Sequence, residues 1–264
     1  MSWSRSAALI RHEMRVMKAD AASLLSLTLM PIIMIAFLKP LARLALAEEH
    51  AGANGSEHSV PAMATMFAFF LVGYLGFAFL AERMYGTWER LRGSPATNAE
   101  IMIGKVVPAL MLALIQQSLL FGVGIAVFGL RLEGSIVALF AVIVVLCICL
   151  TALGVLVATI FKTNQQLNAV VNIGTMTLAG ISGAFVPLEV LPSWARAIAP
   201  ISPQYWALRG YRSVILDGGG LTDVAVPIAV LLALAAACAI GAMLRFRFDE
   251  PSVRSVAVDA ATPA

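Results

Sequence analysis

The sequence predicts an all-α polytopic membrane protein with six transmembrane helices, an N-terminal amphipathic interface helix and short re-entrant outer helices before the last span. The mean hydropathy is +0.90. Only 12% of the residues are charged, against about 25% in a soluble domain. Six stretches contain no Asp, Glu, Lys or Arg: residues 21–38, 58–81, 106–130, 134–161, 163–188 and 224–244.

Each charge-free stretch is about long enough to cross a membrane as a helix. A hydrocarbon core roughly 30 Å thick takes about 20 helical residues. Backbone polar groups in hydrocarbon must be satisfied within their own segment, so a lone span of this kind is helical. The apolar residues run continuously and do not alternate with period two, which argues against a membrane β-barrel.

Residues 1–20 favour a helix that lies along the membrane surface. The apolar side chains fall on one face: Trp3, Ile10, Met14 and Met17. The basic side chains lie largely off that face: Arg5, Arg11, Arg15 and Lys18. A plain extension of the first span is the alternative.

The charge distribution predicts that both termini lie in the cytoplasm. Twelve of the 18 Lys and Arg residues fall on the side of the N-terminus when six spans are threaded, and the more basic side is the cytoplasmic one. The first stretch exceeds the 7–15 residues of a signal-peptide core, so we expect a retained span. The expected organisation is an interface helix over 1–20, a membrane domain over 21–248 and a cytoplasmic tail over 249–264.

The most charged part of the chain connects the second and third spans. Gly93 and Pro95 terminate any helix before them, and Thr97 with Glu100 has the spacing of a capping box that starts the next one. These limits predict a short helix over 85–92. Within it Tyr85, Trp88 and Leu91 recur every third residue, a pattern that suits docking into a partner's groove. A loop that only anchors two spans is the alternative.

The fifth stretch is unusually polar for a span. Asn168, Asn172 and Thr175 fall close to one helical face. Polar groups in a span usually face the bundle or a wet cavity. They therefore line a transport path or, in the alternative, only bond one helix to another. Gln116 and Gln117 of the third span raise the same question.

Prolines divide the segment before the last span into pieces too short to cross a membrane: Pro187, Pro192, Pro200 and Pro203. Trp194 and Tyr205 are residue types that prefer the membrane interface. Together these features predict two short helices at the outer face.

Several kinds of chemistry are not expected of this chain. The first outer loop, about residues 39–60, contains histidines and glutamates, but its Gly-Ala-Asn-Gly-Ser filler indicates a solvated loop and no metal site. No phosphate-binding loop of the form G-x-x-x-x-G-K-[ST] is present. The six stretches lack the acids of a proton relay, which disfavours an autonomous proton-coupled transporter. They also contain no catalytic constellation, which disfavours an intramembrane enzyme. Energy for transport would come from another chain.

Two segments carry a family resemblance. The first is Glu82-Arg83, then Gly86-Thr87-Trp88-Glu89-Arg90-Leu91-Arg92-Gly93-Ser94-Pro95, then Ile103-Gly104-Lys105. It resembles the cytoplasmic loop of type-2 ABC exporter permeases, apart from Trp88, where many members have a smaller apolar residue. The second is similar to the family's outer signature: Ser182 to Trp194, followed by Pro203, Tyr205 and Leu208-Arg209.

The resemblance implies the membrane half of an ABC exporter, working as a homodimer or with a related permease. ATP-binding cassette subunits in trans would bind ATP and Mg, with no cofactor in this chain and no nucleic acid as partner. The N-terminal helix would be a second contact with the ATPase. The coupling helix would comprise Tyr85, Gly86, Thr87, Trp88, Glu89, Arg90, Leu91 and Arg92. The outer re-entrant motif would comprise Pro187, Pro192, Trp194, Pro203, Tyr205 and Arg209.

The expected function is export of a drug-like, lipid-like or glycolipid substrate across a bacterial inner membrane. A non-transporting membrane scaffold or assembly protein is the alternative, and it would not depend on an ATPase.

Overall fold

The computed structural model describes residues 3–19, 21–46, 52–84, 97–185 and 188–245. These residues form nine α-helices, joined on the way by short 3-10 turns. The helices are α1 (Trp3–Ala19), α2 (Ala21–Leu46), α3 (Ser56–Met84), α4 (Asn98–Ala126), α5 (Ile136–Ile160), α6 (Asn164–Ser182), α7 (Ser193–Ile198), α8 (Pro203–Ile215) and α9 (Ala225–Arg245).

The expected all-α membrane architecture is confirmed. Within the described ranges, five helices are long and apolar enough to cross a membrane, and they are α2, α3, α4, α5 and α9. The predicted fifth span is α6, whose 19 residues correspond to about 28 Å of helix. Its Asn and Gln side chains lower its mean hydropathy, so it is not among the five strongly apolar helices.

Helix α3 is the centre of the bundle. It packs against α2, α4, α5, α6 and α8, and 72% of its most apolar window is buried. In contrast, α2 and α9 are each only 22% buried. Large apolar side chains such as Phe37 and Leu44 on α2 stay about three-quarters exposed in the single chain. They are left to face lipid or another protein.

The helix boundaries follow from local capping chemistry. Thr97 and Glu100 form both hydrogen bonds of the predicted capping box at the start of α4. Ser135 and Thr163 cap α5 and α6 through their hydroxyls. Gly183 ends α6 in the left-handed conformation, with φ of 90°, which glycine adopts without steric cost.

The first outer loop is shorter than the expected span of 39–60. Helix α2 continues to Leu46 and α3 starts at Ser56. Lys39 is therefore helical, and its Nζ donates to the carbonyl of Phe128 at 2.7 Å, just past the end of α4. A cation is favourable there because the C-terminus of a helix carries partial negative charge.

A side chain on α4 compensates for a proline inside α2. Pro31 has no N–H, so the carbonyl of Leu27, four residues earlier, loses its helical donor. Gln116 Nε2 donates to that carbonyl at 2.8 Å. The next residue, Gln117, donates to the carbonyl of Ala64 on α3 at 2.8 Å. Both glutamines thus bond helices together, as polar groups in spans often do.

We predict that Gln116→Leu destabilises the protein by about 1 kcal/mol, because a partly buried carbonyl loses its hydrogen-bond donor. The same change should cost close to nothing in a Pro31→Ala background, where the substituted residue supplies the missing backbone N–H. Unfolding midpoints of the four purified proteins in detergent measure this coupling. Equal costs in both backgrounds would contradict the pairing of Gln116 with the proline gap.

Candidate functional site

The expected coupling segment, Tyr85 to Arg92, lies outside the described residues. Its flanks are described: α3 ends at Met84, and α4 begins after Thr97. Both flanks lie at the end of the bundle where α1 packs against α4. We call this the α1 end.

Helix α1 has the predicted amphipathic character, as far as its side chains are described. Ile10 and Met14 are half-buried, whereas Arg11 and Arg15 are exposed. The outward face is thus basic, and the inward face packs against the first turns of α4.

Lys105 of α4 connects three helices at the α1 end. Its Nζ lies 2.8 Å from Glu13 Oε1 on α1 and donates to the carbonyl of Ala78 on α3 at 3.2 Å. The same nitrogen lies 5.7 Å from the centre of the Phe79 ring. The Lys105 side chain is 4% exposed and that of Glu13 is 19% exposed.

This burial makes Lys105 dependent on α1. An ammonium group taken out of water is costly unless it is paired and hydrogen-bonded. Glu13 supplies the opposite charge, and the Phe79 ring adds a cation–π contact. Docking of α1 is therefore coupled to the packing of α3 against α4, the two helices that flank the expected coupling segment.

The residue before this lysine allows α1 to approach closely. A Cβ built on Gly104 would lie 2.7 Å from Leu9 Cβ, a separation that side chains do not tolerate. Any larger residue at 104 would push α1 away from α4. The Gly-Lys pair in the first resembling segment therefore has two physical roles, close approach and charge pairing.

The three polar residues proposed for the transport path do not share one environment. Asn168 and Asn172 are exposed on α6, and Asn172 Nδ2 donates to the Asn168 carbonyl at 2.8 Å. Thr175 is 2% exposed. In the single chain, the two asparagines can meet a ligand or a second subunit, whereas Thr175 faces the bundle.

A charged cavity of about 560 Å³ opens at the opposite end of the bundle. Its ionisable lining consists of Glu57, His58, Arg209, Arg212, Asp217 and Asp223, together with the phenol of Tyr205. Glu57 is 4% exposed and accepts a hydrogen bond from the backbone N–H of Asn54 at 3.0 Å.

The outer motif is split by the structure. Tyr205 and Arg209 of α8 line the charged cavity. Pro192 instead immediately precedes α7, as its N-cap residue, and Pro203 is the first residue of α8. Trp194 is 63% exposed. The sixth residue of the motif, Pro187, lies outside the described residues.

No group of three or more His, Cys, Asp or Glu side chains with metal-binding geometry occurs among the residues that the structure describes. Cys147 and Cys149 are buried, and Cys238 is half-buried. Glu48, Glu49 and His50 of the first outer loop lie outside the described residues.

One residue of the site, Glu13, and one helix-end contact, Lys39, escaped sequence reasoning. Glu13 lies 92 residues from Lys105, and nothing in the local pattern of α1 marks it as the partner. One feature of the sequence could have indicated Glu13 as a partner. It lies between basic residues, near the inward face of an amphipathic helix. Lys39 falls in the predicted solvated loop because the charge-free stretch ends just before it.

The sequence pattern of the ABC-2 type transporter family matches residues 6–216, which extend from α1 to just past α8. The chain is 27% identical over 196 residues to the linearmycin resistance permease protein LnrN of Bacillus subtilis, covering 74% of this chain and 51% of that protein. It is 32% identical over 145 residues to a probable multidrug ABC transporter permease, YbhR, of Escherichia coli, covering 55% and 39%.

The inner membrane transport permease YhhJ of Escherichia coli is 28% identical over 184 residues, covering 69% of this chain and 48% of that protein. The chain thus spans about half or less of the length of these relatives.

We predict that Glu13→Gln lowers stability by about 2 kcal/mol, because it removes a counter-charge from a buried ammonium. Glu13→Gln combined with Lys105→Met should cost less than the two single changes together. Arg11→Gln, an exposed change two residues away, is the matched control and should cost close to nothing. Thermal unfolding in detergent gives the energies, and proteolytic release of α1 reports its docking. If the double variant loses as much stability as the two single variants added together, Glu13 and Lys105 do not form the docking contact.

Proposed function

The chain belongs to the ABC-2 type transporter family, and we propose that it is the membrane-spanning permease subunit of an ATP-driven exporter. The observation that carries this proposal is the family match from α1 to just past α8, which includes the helices around Lys105. ATP and Mg would bind to a partner chain, since this sequence has no phosphate-binding loop. This chain would supply no catalytic group.

In this proposal, energy enters at the α1 end. Closure of the ATP-binding partner would push on the segment over 85–92. That segment joins α3 to α4, and Lys105 links both helices to α1. The three helices would therefore move as one unit and not separately. The exposed basic face of α1, with Arg11 and Arg15, would form a second contact with the partner.

The orientation rests on charge. The α1 end carries the larger share of Lys and Arg, so we place it, with both termini, in the cytoplasm of a bacterial inner membrane. The charged cavity lined by Tyr205 and Arg209 would then lie on the outer side. We assign the short helices α7 and α8 to re-entrant elements at that exit.

We propose a homodimer, or a pair with a related permease, in which the exposed asparagines of α6 contact the substrate. Amide groups beside apolar walls would orient an amphipathic molecule. The names of the relatives mention linearmycin resistance and multidrug transport. A drug-like, lipid-like or glycolipid substrate suits such a path. The alternative is a non-transporting scaffold or assembly protein, which would act without an ATPase.

The function is tested by measuring how much of the ATP-binding partner co-purifies with the unchanged chain and with the variants Trp88→Ala and Leu91→Ala. If these side chains anchor the coupling segment, each change should weaken partner binding by about 2 kcal/mol, roughly thirtyfold. Alternatively, each should uncouple transport from ATP hydrolysis while the protein stays inserted. Trp194→Ala, an exposed tryptophan at the opposite end, is the control for partner binding and should leave that binding unchanged. Full export and full binding in both variants would reduce the segment to a connecting loop.

The transport-path assignment predicts that Asn168→Leu with Asn172→Leu changes which ligands stimulate ATP hydrolysis, because orienting amides are lost from an exposed face. Thr175→Val, a change of similar size that faces the bundle, should leave the ligand preference unchanged. A ligand panel, run beside dimer recovery in detergent, separates the two roles. A lost dimer with unchanged ligand preference would assign the asparagines to packing.

A further inference from the structure

An apolar groove of about 540 Å³ lies between α4, α5 and α9. It is distinct from the charged cavity and from the polar face of α6. Among the described residues that line it, Thr151 has the one polar side chain, and its hydroxyl donates within α5 to the carbonyl of Cys147 at 2.6 Å. The groove therefore offers a ligand almost no hydrogen-bonding group.

The groove exists because α5 and α9 contribute small side chains at its walls. Ala152 of α5 and Ala239 of α9 leave space that leucines would fill. Val155 and Ala242 form the floor at 9% and 3% exposure, whereas Met243 at the rim is 80% exposed. The floor is the outer side of a packed cluster that includes Phe79. The depression is thus backed by a well-packed wall.

Its length matches one leaflet of a membrane. The α4 wall extends from Ala99 to Leu110, a separation of eleven positions that corresponds to about 16 Å of helix. Half of a hydrocarbon core is about 15 Å. Ala99 lies in the first turn of α4, so the groove begins at the α1 end and stops near the middle of the bundle.

Positive charge stands at the open end. Arg245, the last residue of α9, follows Met243 by two positions and is exposed. Lys162, just beyond α5, is also exposed. The nearest described acid on the α4 wall, Glu100, is 1% exposed and forms the capping box with Thr97. An anionic headgroup would therefore meet cations at this end.

We propose that this groove binds one acyl chain of an anionic phospholipid from the leaflet at the α1 end, with the headgroup phosphate at Arg245. The chain would lie between α4 and α9, two helices that the described residues do not bring into extensive direct contact. Bound lipid would join the last span to the helix that carries Lys105. The site is independent of the transport substrate.

The test uses the full-length protein in phosphatidylethanolamine vesicles doped with phosphatidylglycerol that carries a photoreactive diazirine in one acyl chain. Adducts mapped by mass spectrometry should concentrate on the peptides around 99–110 and 239–243. Ala239→Phe should lower the yield of these adducts about tenfold, because the phenyl ring would fill part of the groove and the bound acyl chain would bury about two methylenes fewer. Ala236→Phe, an exposed alanine one turn away that does not line the groove, should leave them unchanged.

Ala152→Phe fills the groove from the α5 side and should lower the adducts in the same way. Agreement between the two variants shows that the loss does not come from a folding defect of Ala239→Phe alone. A separate comparison of two lipid headgroups tests the headgroup assignment. Diazirine phosphatidylcholine should label more weakly than phosphatidylglycerol, and Arg245→Gln should remove that difference. Adducts spread evenly over the apolar surface, or unchanged in both Phe variants, would overturn the proposal.

A second occupant is tested in the same assay. Residues 249–264 follow Arg245 closely in the sequence, which makes them the competing occupant of the groove. If labelling appears only after these residues are deleted, the groove belongs to the tail and the lipid proposal is wrong. Equal labelling with and without them supports the lipid.

Discussion

The buried ammonium of Lys105 is the interaction on which the α1 end depends. Among its partners are the Glu13 carboxylate on α1, and the Ala78 carbonyl and Phe79 ring on α3. Loss of the Glu13 carboxylate would remove a counter-charge from a buried ammonium, which is more costly than loss of an apolar contact. Helix α1 is thereby fixed to the bundle near the end of α3 and the start of α4, the two helices that flank the proposed coupling segment.

The same rule governs the rest of the bundle. Gln116 donates a hydrogen bond to the Leu27 carbonyl, which Pro31 leaves without a donor. Lys39 donates to the Phe128 carbonyl, just past the end of α4. A membrane interior offers no water to satisfy such groups, so neighbouring helices must do so. These contacts connect α2 to α4 within the bundle and to the chain just past the end of α4.

The sequence was most informative where one physical rule acts locally. Charge-free stretches located five apolar helices, because burial in hydrocarbon excludes charge over a whole helix length. The capping box at Thr97 and the short helices between prolines were also predictable, because each depends on residues only a few positions apart. The pairing of Glu13 with Lys105 and of Gln116 with Leu27 was not, because it depends on how distant helices align. For the candidate path, the helical spacing placed Asn168, Asn172 and Thr175 together, but only packing distinguishes the exposed asparagines from the buried threonine.

The central claim is that an ATP-binding partner docks at the α1 end through the segment over 85–92. A photoreactive amino acid in place of Trp88 tests it most directly, with the same group in place of Trp194 as the comparison. The account predicts that position 88 cross-links to the co-purified ATP-binding chain and that position 194 does not. Cross-linking at 194 but not at 88, in a complex that still hydrolyses ATP, would contradict it.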